Sequence, residues 1–390
     1  MQKDHGYNPP PAWTIMGHFF AEMYPAGERF DLPIIGRTYW TQLLAMLDIV
    51  YLAGTFVALW WAFGWRVFAV GAIFWGCQSS APFYWTGGAF LRQDWLFFLV
   101  LSTCLFRKRY FALGGAAVVY AGMLRVFPGL VVIGLFVVAA QYIYKHKRPS
   151  PDHARAFVGG LVAALVIGGV SVKVAGTDSY QQFFEHTIKV HDQTPLTNHM
   201  GLRVLVAQKT PIEIRELTIG SKTVDLPDLG VGPESGRMKY TKDVKLTDPF
   251  EVWKRMRNER YQKLRYAAYA ISLVTFVAFA WLLRRVKSLW IAQCIGQIWI
   301  ILLSQLTCYY YSFMILTAPL TKVRRGLEAP LFGLTALSQF VWMTFFWNDD
   351  KYWLLTLISL VFCYGVFCAF WAKKVKNLPE EPSDESAPAP

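Results

Sequence analysis

WTQLLAMLDIVYLAGTFVALWWAFG, residues 40–64, decides the fold, because Asp48 is the one charged side chain in the whole stretch. As a helix it is about 37 Å long at 1.5 Å per residue, enough to cross a hydrocarbon core of about 30 Å. Working outward, comparable apolar runs of about 20 residues recur through most of the chain. They predict ten spans, at about 40–64, 66–84, 88–106, 110–124, 127–144, 156–175, 265–283, 288–307, 309–321 and 327–347, with an eleventh at 352–372. The segment 309–321 is short enough to be re-entrant or part of a bent helix, so the count stands at ten or eleven.

The composition agrees with that reading. Of 390 residues, 54% are hydrophobic, 16% aromatic and 17% charged, and mean hydropathy is +0.30. This excludes a disordered chain, a collagen and a small disulfide scaffold, and a soluble chain would carry roughly 25% charged residues. The expected class is an all-α polytopic membrane protein. Cys77, Cys104, Cys294, Cys308, Cys363 and Cys368 all fall in or beside apolar runs without CxxC spacing, so they are read as packing residues rather than disulfides or metal ligands.

Lysines and arginines of short loops are retained in the cytoplasm. Clusters occur at Arg107–Arg109, at Lys145, Lys147, Arg148 and Arg155, at Arg284, Arg285 and Lys287, at Lys322, Arg324 and Arg325, and at Lys373, Lys374 and Lys376. An even number of spans separates each from the next if 309–321 counts as a crossing. All five then share one side, and the formal charge of +13 becomes a topology signal rather than the mark of a nucleic-acid partner. The predicted organisation is an extracytoplasmic segment 1–39, a first half-bundle 40–175, an extracytoplasmic loop domain 176–264, a second half-bundle 265–372 and a disordered cytoplasmic tail 373–390. The first 39 residues are polar and Pro-rich and lack the regions of a secretory peptide. Their translocation leads us to expect a further helix ahead of Met1. Within the large loop, alternation over Thr218–Leu226 suggests a hairpin, and Pro249–Arg265 reads as a basic amphipathic helix lying on the membrane surface.

Ionisable groups near hydrocarbon are costly and mark pathways or sites. Arg92 and Asp94 flank the third span, Arg125 sits at the break before Pro128-Gly129, Lys173 lies near the end of the sixth span, and Asp48 is a further buried charge. Arg offers a bidentate fork suited to a lipid-linked phosphate. Interfacial snorkelling, or an Arg92–Asp94 ion pair, is the competing reading. Tyr309-Tyr310-Tyr311 is read either as an interfacial aromatic belt or as stacking faces for a sugar. His186, His191 and His199, with Asp192, crowd the start of the large loop, but their spacing misses the helical i, i+4 pairing and no metal site is assigned. No phosphate-binding loop, dinucleotide fingerprint, nucleophile elbow or HExxH motif is present.

Several of these stretches, in order, resemble the C-type (GT-C) membrane glycosyltransferases, and most closely glycosyltransferase family 87, the polyprenyl-phosphate-mannose-dependent mannosyltransferases. Gly6-Tyr7-Asn8-Pro9-Pro10-Pro11-Ala12-Trp13 is similar to the family's Tyr/Pro-Pro signature. Arg107–Arg109, then Leu113-Gly114-Gly115-Ala116-Ala117, then Arg125-Val126-Phe127-Pro128 resemble its basic turn, small-residue helix and Arg-x-x-Pro element. Phe183-Phe184-Glu185-His186, Thr197-Asn198-His199, and Tyr309-Tyr310-Tyr311 followed by Ala318-Pro319-Leu320 complete the series.

The resemblance implies a GT-C-like bundle in a bacterial inner membrane, with an active site on the outer face. It implies inverting transfer of a mannose-like hexose or a pentose from a polyprenyl-phosphate donor to a glycan or glycolipid hydroxyl. Arg92, Arg125 and Lys173 would hold the donor phosphate, and His186, Asn198, Tyr309 and Tyr310 the sugar and acceptor. The family's catalytic Asp lies early in the first outer loop. Asp4 is the nearest acid here, with Asp31 and Asp94 as substitutes. No cofactor beyond the lipid donor is assigned, and a need for a divalent metal is left open. The alternative is a transporter or flippase of a lipid or small solute. Such proteins pair broken helices near the midplane, and only the Pro128-Gly129 break is visible.

Overall fold

The computed structural model describes residues 9–81, 91–189, 198–207, 233–234, 237–238 and 249–371, of which 233–234, 237–238 and 249–252 are described by backbone alone. Helix dominates them. Trp40–Phe63, Phe127–His146, Pro151–Ala175, Trp253–Leu283 and Asn348–Trp371 have the length and hydropathy to cross a membrane. Shorter helices, Trp65–Cys77, Asp94–Arg107, Phe111–Leu124 and Glu328–Thr344, pack among them. Among the described residues the strands form three antiparallel pairs, Arg29–Leu32 with Gly36–Tyr39, His199–Met200 with Leu306–Thr307, and Pro233–Glu234 with Arg237–Met238. Along Pro151–Ala175 the side chains of Val158, Leu161, Val162, Leu165 and Val166 are all exposed. An apolar stripe of this kind suits lipid better than water.

Phe111–Leu124 and Pro151–Ala175 pack backbone to backbone. A Cβ on Gly115 would fall onto the Ala156 carbonyl oxygen, and one on Gly159 onto the Ala112 carbonyl oxygen. Where lipid competes with apolar side chains on equal terms, such small-residue seams supply the close contact that holds helices together. Backbone atoms cannot turn aside as a side chain does, so Gly159→Leu should cost at least the 1–3 kcal/mol of ordinary overpacking. The expected result is loss of the monodisperse peak in detergent size exclusion, whereas Gly169→Leu, at a position with open space, should leave it unchanged.

The basic loops gather at one end of this bundle. Lys108 lies over the Trp61 ring at 5.6 Å and Arg107 over Trp290 at 6.0 Å. Arg66 makes a bidentate pair with Glu328, Arg285 donates to the Trp371 carbonyl, and Arg324 lies over Phe370 at 5.6 Å. The segment 309–321 runs from the opposite end to this one. Cys308–Leu316 is a 3-10 helix followed by Thr317–Leu320, and every residue from Tyr311 to Leu320 is buried. A 3-10 helix rises about 2.0 Å per residue against 1.5 Å, which lets few residues span more depth. Its irregular backbone is tolerated because protein, not lipid, surrounds it.

Other expectations are corrected. Residues 288–307 divide into Leu289–Ile295 and Ile298–Leu303. Residues 249–265 are no separate surface helix, since Pro249–Leu283 is continuous and buries Trp253 and Arg257 against neighbouring elements. Of the three tyrosines Tyr311 is 1% exposed and belongs to the core rather than to an interfacial belt, while Tyr309 and Tyr310 are half-buried. Four of the six free cysteines, Cys104, Cys294, Cys308 and Cys363, are buried packing residues, while Cys77 and Cys368 are exposed. The predicted hairpin at 218–226 and the tail 373–390 lie outside the described residues.

Candidate functional site

At the end opposite the basic loops the helices have unequal lengths. Trp40–Phe63 has 24 residues, about 36 Å, while Asp94–Arg107 and Phe111–Leu124 have 14 each, about 21 Å. Their other ends are level, through Lys108 over Trp61. The short helices therefore stop roughly 15 Å short of Trp40, a depth that follows from the same rise per residue. Their terminal residues Arg92 and Arg125 thus fall beside the middle of the long helix, where Asp48 lies.

Two carboxylates form the floor. Asp48 and Asp94 are 0% and 2% exposed. Asp48 Oδ1 accepts the backbone N–H groups of Arg92 at 2.8 Å and Gln93 at 2.9 Å, and Asp94 Oδ1 accepts that of Trp95 at 2.7 Å. The second oxygen of each is buried without a hydrogen-bond partner. An unsatisfied buried polar atom costs about 1–3 kcal/mol and calls for an explanation, of which a role toward a ligand is one. Asp94 lies within electrostatic range of Arg125 and of Asp48, and Asp48 within range of Arg92 and Arg125.

Half-buried cationic and aromatic side chains make the rim. Arg92 Nη1 donates to the Tyr309 hydroxyl at 3.3 Å, with its guanidinium 5.6 Å from that ring's centre. Arg125 donates to its neighbour's carbonyl, Leu124, and lies 5.9 Å from the Trp13 ring. Neither guanidinium forms an ion pair among the described residues. Each keeps most of its five N–H donors for another acceptor. Tyr310 packs against Tyr309 at 4.5 Å, Phe127 at 4.8 Å and Trp95 at 5.7 Å, so four aromatic rings line one side.

The turn carrying Arg92 is strained and held on several sides. Leu91 has φ of 49°, a left-handed conformation that costs a non-glycine residue roughly 1–3 kcal/mol and persists where surroundings over-determine it. Its carbonyl accepts the Trp13 indole N–H at 3.3 Å. Pro10, Pro11 and Ala12, which precede that indole, are buried. The tyrosines are held from the other direction by the return of the large loop. The Asn198 carbonyl accepts the Cys308 N–H at 2.9 Å, and His199 pairs with Thr307. His199 Nδ1 meets Gln305 Nε2 at 2.6 Å. Gly201 has φ of 134° and presses on the Ser304 carbonyl, where no Cβ would fit.

The structure thus brings together Arg92, Asp94, Arg125, Tyr309 and Tyr310, with Asn198 contributing through its backbone. Lys173 and His186 are exposed, and among the described residues no hydrogen bond, ion pair or ring contact links them to the cluster. Asp31 is exposed on the hairpin, opposite Arg37. Asp4, His191 and Asp192 lie outside the described residues. Four members were not assigned from sequence. Trp13 and Phe127 stood inside quoted motifs, and Trp95 adjoins Asp94, which was chosen. Asp48 was noted as a buried charge but left out of the site, although its isolation in an apolar span was the available signal. The described residues hold no group of three His, Cys, Asp or Glu side chains suited to a metal ion. No protein-family model, no curated protein and no solved structure matches this chain.

Proposed function

We propose that the chain is a membrane glycosyltransferase that moves a sugar from a polyprenyl-phosphate donor to an acceptor hydroxyl, with inversion. The observation that carries the reading is the pairing of buried, incompletely satisfied carboxylates with two guanidiniums that form no ion pair among the described residues, beside the rings of Trp13, Trp95, Phe127, Tyr309 and Tyr310. Such a cluster offers the three things the reaction needs, namely a base, fixed cations and ring faces. The acceptor O–H gives its proton to the Asp94 carboxylate. Its oxygen forms a bond to the anomeric carbon as the bond from that carbon to the phosphate oxygen breaks, and the electron pair leaves on the phosphate. Arg92 and Arg125 stabilise that developing charge without reorganisation. Aromatic rings present the faces on which a sugar stacks.

The rule that basic loops stay in the cytoplasm supports an extracytoplasmic side for this cluster, and the family resemblance supports a bacterial plasma membrane. Asp94 is 2% exposed, so an acceptor reaches it only after a rim side chain swings aside, and the cycle includes an opening step. The assay is transfer from a radiolabelled polyprenyl-phosphate sugar in proteoliposomes. Arg125→Ala and Arg92→Ala should each raise the donor KM or lower kcat/KM by about ten- to a hundredfold, the loss expected for one charge-assisted contact. Unchanged kcat/KM in both variants would remove the phosphate from this cluster.

A further inference from the structure

Asp48 and Asp94 share the cluster, yet their bonding differs. Asp94 bonds the N–H of the residue that follows it, on its own helix. Asp48 reaches out of an unrelated helix, 44 residues earlier in the chain, to take two consecutive amides of the Arg92–Gln93 turn on a single oxygen. The helix Asp94–Arg107 has no side-chain cap of its own. The first amides of a helix and of the turn before it need acceptors, and here a carboxylate from across the packing interface supplies one. The same turn includes the left-handed Leu91, which would relax if released. Its two outgoing side chains are Arg92, set against Tyr309, and Asp94, set beside Arg125.

We propose that Asp48 is a positioning residue for the transfer reaction, acting through the Leu91–Gln93 turn to hold Arg92 and Asp94 at their working separation rather than by accepting a proton itself. The role rests on the transferase reading, since it assigns a task within that site. It also makes a claim about the turn alone, which is measurable without any substrate.

An amide oxygen accepts the same two N–H bonds as the carboxylate, and its NH2 group replaces the carboxylate oxygen that lacks a partner. Asp48→Asn should therefore keep the Arg92 and Gln93 amides as slow to exchange as in the wild type and should lose far less of kcat than Asp48→Ala. Asp48→Ala removes the acceptor, and should lower kcat at least a hundredfold while exposing the Arg92 and Gln93 amides to faster hydrogen exchange, read by mass spectrometry on the full chain. If Asp48→Ala does not accumulate, Asp48→Ser serves instead, because a serine hydroxyl within a helix turns back to its own i−4 carbonyl. A folded Asp48→Asn as inactive as Asp94→Asn would overturn the proposal and make Asp48 a direct participant. Unchanged exchange at Arg92 and Gln93 in the Ala or Ser variant would overturn it too. If the wild type transfers no sugar while exchange responds as expected, the hold on the turn stands and the transferase reading alone fails.

Discussion

Asp94→Asn should abolish most transfer while leaving the protein folded. A positioned general base contributes about 10²–10⁴-fold to rate, so kcat should fall by that factor with the donor KM nearly unchanged. The amide retains an oxygen for the Trp95 N–H, which keeps the start of the Asp94–Arg107 helix in place. Initial rates of labelled-sugar transfer at saturating donor would show it, with the thermal midpoint in detergent as the control. Equal rates for variant and wild type would remove Asp94 from the chemistry and return attention to Asp4 or Asp48.

Asp349→Ala should give the largest loss of stability. Asp349 and Arg257 are 8% and 5% exposed, with Arg257 Nη1 3.4 Å from Asp349 Oδ1. The Trp253 indole donates to Asp349 Oδ2 at 2.9 Å, and Arg257 Nη2 donates to the Val204 carbonyl at 3.4 Å. These bonds join Leu202–Ala207, the head of Pro249–Leu283 and the start of Asn348–Trp371. Deleting one partner strands a buried charge, at a cost of about 3–5 kcal/mol, whereas replacing both partners with apolar groups of similar size is often neutral. Thermal unfolding should therefore rank Asp349→Ala well below the double variant Asp349→Leu/Arg257→Met. A single variant that unfolds with the wild type would show that the pair bears no load.

Much of the helical plan was legible because apolar runs are a strong and local signal. Residues 40–63 form one helix, bounded at the end by Gly64 in a positive-φ conformation. The same signal says little about depth. A 14-residue helix and a 24-residue helix both read as spans, yet their difference sets the depth at which Arg92 and Arg125 meet Asp48. Arg92, Asp94 and Arg125 stood out because charge beside apolar sequence is rare, and the fold does bring them together. Asp48 stood out for the same reason, but its partners are backbone amides, which every sequence possesses, so nothing in the residue pattern pointed to them. The basic helix at 249–265 misled for a related reason. Its Arg257 is a surface residue by pattern, and partners distant in sequence, Asp349 and the Val204 carbonyl, make its burial tolerable.

The most direct test of the central claim is the fate of both halves of a purified polyprenyl-phosphate sugar incubated with the protein and membrane-extracted acceptor. The account predicts one free polyprenyl phosphate for each sugar transferred and an inverted anomeric configuration in the product by NMR, with both lost in Asp94→Asn. Intact donor throughout, together with protein-dependent movement of a labelled lipid or solute across the bilayer, would contradict it and identify a transporter instead.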